Sequence, residues 1–156
     1  MFKSVKQFLS LWKHESGSTA KVLANLTDAS LSQPIAPGHR NLGELAWHIA
    51  ASVGEISGHT GLKFAAPSKI LPTPPRAAEI VAGYKQAADG LANAIGSEWT
   101  DETLEIKDKL YGREWPRSFT LQVLLFHEIH HRAQATVLMR QAGLKVPGVY
   151  GLSKDD

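Results

Sequence analysis

The stretch Phe126-His127-Glu128-Ile129-His130-His131-Arg132 holds the densest set of groups in this chain that could do chemistry. On a helix, His127 and His131 lie one turn apart on one face. Imidazoles at that spacing can bind one metal ion. Their stripe continues through Leu124, Gln134 and Leu138 and so reads as largely core-facing. Burying two histidines on an apolar face costs free energy unless they are paired. A metal is one remedy, and hydrogen bonding is the other. Taken alone, such a pair is more often a surface or satisfied-core feature than a metal site.

A third histidine changes the weighing. His48 lies between Leu45 and Ser52, adjoining a Leu45/Ile49/Val53 stripe. Ligands projecting inward from facing helices of a bundle build central metal sites. Three imidazoles leave one or more coordination positions open, as a catalytic site requires. By itself His48 would read as a structural core histidine.

His127-Glu128-Ile129-His130-His131 also fits the His-Glu-x-x-His pattern of zinc peptidases, with Glu128 as general base. The extended form of that pattern would need Gly and His where this chain has Gln134 and Val137. No glutamate follows, and the only later carboxylates are Asp155 and Asp156. Glu128 therefore reads as a residue supporting a ligand or as a solvated helix residue. His130 is about 100° around the helix from His131 and is not expected on the same ion. His14, His39 and His59 read as ordinary polar positions. Arg132 could orient an anionic substrate or form a salt bridge to a neighbouring helix. Trp47 and Trp115 could line a pocket or pack in the core.

Four helical segments must position these groups. The first is expected from about Ser4 to Leu26, with Ser4 and Gln7 as a capping box and Gly17 weakening its middle. The second begins near Asn41, capped by Asn41 and Glu44, and ends at Gly58 and Gly61. The third runs through Ala78, Tyr84, Leu91 and Ile95, with Thr73 as cap and Pro74 at its first position. Leu104 and Ile106 alternate with Glu105 and Lys107, which suggests a short strand, and Tyr111-Gly112-Arg113 can turn the chain. The fourth helix is capped by Ser118 or Thr120. It ends at Gly143, with Leu144 placed for a Schellman contact. The expected fold is all-α: an antiparallel four-helix bundle forming a single domain over residues 1–156. A short hairpin can form between helices 3 and 4.

Composition narrows the function classes. The chain has 156 residues, seven histidines and no cysteine. Thiolate ligands, disulfides and a cysteine nucleophile are excluded, so any reacting sulfur must come from a cosubstrate. A formal charge of +2 argues for neither nucleic acid nor membrane binding. Lys3, Lys6 and Lys13 interrupt any signal-peptide-like stretch, and no segment is apolar enough to span a membrane. A cytoplasmic protein is expected.

The sequence resembles the DinB/YfiT-like metalloenzyme family. Asn41-Leu42-Gly43-Glu44-Leu45-Ala46-Trp47-His48-Ile49-Ala50 is similar to that family's first ligand helix. His127-Glu128-Ile129-His130-His131-Arg132-Ala133-Gln134 is similar to its second histidine motif. Leu144-Lys145-Val146-Pro147-Gly148-Val149-Tyr150-Gly151 is similar to its C-terminal ending. The resemblance implies a four-helix bundle with a divalent metal on His48, His127 and His131. Ala133 stands where many members have glycine, a change that bears on helix packing and removes no ligand. Some relatives are thiol-dependent transferases or isomerases using low-molecular-weight thiols.

The leading expectation is a metal-dependent enzyme of the thiol S-transferase type. Its divalent ion would be Zn, Ni, Fe or Mn, and its substrate a small molecule, with a low-molecular-weight thiol as cosubstrate. A metal-dependent hydrolase and a non-catalytic metal- or ligand-binding stress-response protein are the alternatives. A homodimer is expected from the resemblance.

Overall fold

The computed structural model describes residues 1–156. Four α-helices dominate: α1 (Val5–Leu23), α2 (Leu42–Gly58), α3 (Ala77–Glu98) and α4 (Arg117–Gln141). Two strands, β1 (Lys107–Leu110) and β2 (Arg113–Pro116), stand between α3 and α4 and pair antiparallel. Short 3-10 turns at Asp28–Ser32 and Glu102–Glu105 link the elements. No helix is long and apolar enough to cross a membrane.

Helix α2 packs on α3 and α4, and α1 packs on α3 and α4. Trp12, Leu45, Ile49, Leu91, Leu121, Leu124 and Leu138 share one buried apolar cluster. Trp12 also donates its indole N–H to the Ala88 carbonyl, so its polar end is satisfied inside that cluster.

The helix ends follow local chemistry in some places and distant partners in others. At α2 both halves of the Asn41/Glu44 capping box form. At α1 only half of the expected box forms: the Ser4 hydroxyl accepts from Gln7 N–H, while the Gln7 side chain accepts from Lys3 N–H instead. Helix α1 also stops at Leu23, short of Leu26.

Two start sites differ from the sequence expectation. Helix α3 begins at Ala77, not at Pro74, and Thr73 does not cap it. Pro74 and Pro75 disfavour helical backbone in the residues before them. The cap comes from far away, because Asp28 Oδ1 accepts the Ala77 N–H at 2.8 Å. Helix α4 begins at Arg117, and neither Ser118 nor Thr120 caps it. Its first N–H donates to the Ile106 carbonyl, and the Arg117 guanidinium pairs with Asp108 on β1. The hairpin is thus what starts α4.

The strand itself begins later than alternation suggests. Leu104 lies in a 3-10 turn, and β1 starts at Lys107. Tyr111 and Gly112 both have positive φ, 51° and 75°, which is the backbone of a type I′ hairpin turn. At the far end of α4 the Schellman motif is complete: Leu144 N–H donates to Met139 O and Gly143 N–H to Arg140 O.

Candidate metal centre

The capping box fixes where α2 starts and therefore which turn carries His48. His127 and His131 lie one turn apart on α4, which packs against α2. The result is a meeting of three imidazoles. His48 Nε2 stands 3.2 Å from His127 Nε2 and 3.2 Å from His131 Nε2. One ligand atom from each ring lies within 4.8 Å of the others, so the group could hold a metal ion. Around a tetrahedral ion with metal–nitrogen bonds of about 2.0–2.1 Å, ligand nitrogens stand roughly 3.3 Å apart. The two short separations have that length.

Protonation also suits a ligand set. Burial, then the Arg40 charge and the two neighbouring imidazoles, lower the His48 pKa to about 4. Burial, then His131, lower His127 to about 4. Burial lowers His131 as well, against a hydrogen bond to Gln134 that raises it. Neutral imidazoles have a lone pair to offer a metal. For His131 the tautomer is set: Nδ1–H donates to Gln134 Oε1 at 2.7 Å, which leaves Nε2 bare toward His48. His127 Nδ1 is buried without a partner.

Behind the triad lies a buried polar network. Glu128 is only 2% exposed, so it is not a solvated residue. Its Oε1 accepts from Thr19 on α1 at 2.7 Å and from Tyr84 on α3 at 2.8 Å. Burial raises the Glu128 pKa, and burial followed by the Glu128 charge holds Tyr84 well above its ordinary value. Glu128 Oε1 is committed to α1 and α3 and its Oε2 is buried without a partner, so neither oxygen faces solvent as a peptidase general base would need. Arg132, 3% exposed, pairs with Glu15 Oε2 at 2.7 Å and also donates to the Glu15 carbonyl and Thr19. Tyr150 closes the cluster by donating to Glu15 Oε2 at 2.6 Å. Of the two roles considered for Arg132, the salt bridge is the one formed.

A cavity of about 460 Å³ borders the triad at His48, with Trp47, Arg40, Glu44, Glu55 and Lys69 in its lining. One glycine lets α3 close on the Trp47 wall: a Cβ at Gly83 of α3 would stand 2.9 Å from the Trp47 ring. Trp47 thus lines the cavity while also packing on the core. Trp115 packs on the core as well, donates to Thr120 Oγ1 and stacks edge-on against Phe119.

The remaining histidines stand apart from the three-nitrogen group. His130 is exposed, its ring beside that of His131. His14, His39 and His59 are exposed. Ala133 is exposed too. Arg40, Gln134, Thr19, Tyr84, Glu15 and Tyr150 were not singled out as functional partners from sequence. Only Gln134 had a usable signal, its i, i+3 spacing from His131.

Comparison with known proteins bears on the fold as a whole. The family model described as DinB family matches residues 1–156. The uncharacterized protein YrdA of Bacillus subtilis (strain 168) is 42% identical over 156 residues, spanning 100% of this chain and 93% of YrdA. The crystal structure of a DinB-like protein from Bacillus cereus ATCC 10987 superposes with a TM-score of 0.93 at 48% identity. The match covers 96% of this chain and 100% of that one. A DinB-like protein of Bacillus subtilis, YjoA, shares the fold at 21% identity with a TM-score of 0.72, covering 92% of this chain and 96% of that one.

Proposed function

Because the chain belongs to the DinB family, we propose that it is a divalent-metal-dependent enzyme of the thiol S-transferase type. His48, His127 and His131 are its metal ligands. The carrying observation is the convergence of three neutral imidazoles beside an open cavity. In this reading the four helices form an antiparallel bundle, one domain covers residues 1–156, and the protein acts as a cytoplasmic homodimer.

A bound divalent ion would supply Lewis acidity at its open position, where it lowers the pKa of a coordinated thiol or water. The protein's own residues prepare that position. Gln134 holds the proton on His131 Nδ1 and so aims the Nε2 lone pair inward. Burial keeps His48 and His127 neutral at physiological pH. With no cysteine in the chain, the reacting sulfur belongs to a small thiol entering from the cavity. The cavity favours an enzyme over a non-catalytic binding protein. The commitment of Glu128 to Thr19 and Tyr84 weighs against a peptidase-type hydrolase.

The test is to incubate metal-loaded protein with low-molecular-weight thiols and chlorodinitrobenzene, beside an ester and amide panel without thiol. Metal-dependent thioether formation supports the proposal. Turnover of the panel without thiol, or no turnover with any thiol, contradicts it.

A further inference from the structure

One cation at the cavity has no partner. Lys69 pairs with Glu55 at 2.5 Å. The Glu44 carboxylate is tied to the Asn41 N–H at 2.8 Å in the capping box. Arg40, which lines the same cavity as His48, enters none of the ion pairs of the molecule.

Placing a guanidinium there makes little sense for binding a metal alone, since both are cations and repel. It makes sense if an anion sits between them. A guanidinium presents a planar fork of donors that matches carboxylate and phosphate oxygens. The volume, about 460 Å³, is that of a small-molecule site. The walls offer a ligand Trp47 as an apolar face and Arg40 as a charged anchor.

We infer that the cavity beside His48 binds a small molecule carrying an oxyanion, carboxylate or phosphate, and that Arg40 is the residue that grips it. The oxyanion lies on Arg40 while the reacting end of the ligand reaches the imidazoles. Arg132, the arginine nearest the ligands in sequence, is locked to Glu15 and unavailable for this role. The assignment of the reacting end rests on the proposed function above; the anion site itself does not.

The experiment separates the two. Succinate and inorganic phosphate are titrated calorimetrically into metal-free protein at low salt, for wild type, Arg40→Gln, Arg40→Lys and Arg113→Gln. Arg113 is an exposed residue on β2 that controls for bulk charge. Saturable binding of at least one anion is expected. It should weaken by about tenfold or more in Arg40→Gln, recover in part in Arg40→Lys, and be unchanged in Arg113→Gln. The tighter of the two anions then identifies the ligand as a carboxylate or a phosphate. No saturable binding of either anion, equal binding by Arg40→Gln, or equal loss in Arg113→Gln overturns the inference. Co²⁺ uptake, followed by visible absorption, reports on the triad independently. Wild type that binds succinate through Arg40 but takes up no Co²⁺ would refute the metal reading and leave the anion site standing.

Discussion

His131 Nδ1–H donates to Gln134 Oε1 at 2.7 Å, one helical turn away on α4. That single bond decides which ring nitrogen is free to face His48. Partners of this kind, one step removed from the ion, typically carry about 10–100-fold in metal affinity. Gln134→Leu is expected to weaken Zn²⁺ binding by that order. Gln134→Glu, which keeps an acceptor oxygen, should retain it. Competition against a chelator of known affinity measures both, and equal affinity in Gln134→Leu and wild type would dismiss the tautomer argument.

The Glu15–Arg132 pair is a stability element. Both side chains are nearly inaccessible, at 5% and 3%. Removing one partner of such a pair strands a buried charge and costs about 3–5 kcal/mol. Arg132→Met and Glu15→Leu should each lose that much in urea unfolding. The double variant should lose less than the sum, because neither charge is then left alone. Additive losses would mean the pair is not coupled.

Acid should destabilise the metal-free protein through the triad. The His48 and His127 pKa values are lowered to about 4 by burial, whereas an unfolded histidine titrates near its ordinary value of 6.5. Between those values the unfolded chain binds more protons than the folded one. The stability contributed by the neutral rings is therefore whole above about pH 6.5 and is lost progressively as pH falls towards about 4. Urea midpoints of chelator-treated protein across that range measure the loss. His48→Gln should flatten the dependence, and an unchanged slope in that variant would remove His48 as a cause.

Gly83 should tolerate no side chain without moving the cavity wall. An added Cβ meets the Trp47 ring at 2.9 Å. Gly83→Ala is expected to shift Trp47, visible as a changed indole resonance or fluorescence maximum, and to weaken succinate binding while leaving Co²⁺ uptake intact. Gly58→Ala, where nothing lies within 4 Å, is the control.

What the sequence made legible was local chemistry. The His127/His131 spacing, the Asn41/Glu44 box, the Tyr111-Gly112 turn and the Gly143 helix end all depend on residues within a few positions of each other, and each formed. What it hid was long-range. Asp28 caps α3 across 49 positions, and the hairpin supplies the carbonyl that starts α4, so no local pattern marks either helix start. Glu128 looked open to solvent or to a support role for the same reason: its partners Thr19 and Tyr84 come from other helices. Arg40 was not singled out because only the fold places it on the cavity that His48 borders.

The metal content of untagged protein, measured by elemental analysis for wild type and His48→Ala side by side, tests the central claim most directly. The account predicts about one divalent ion per chain in wild type and a large loss in His48→Ala, with the variant still folded by circular dichroism. Equal metal content in the two proteins, or none in wild type reconstituted with Zn²⁺, would contradict it.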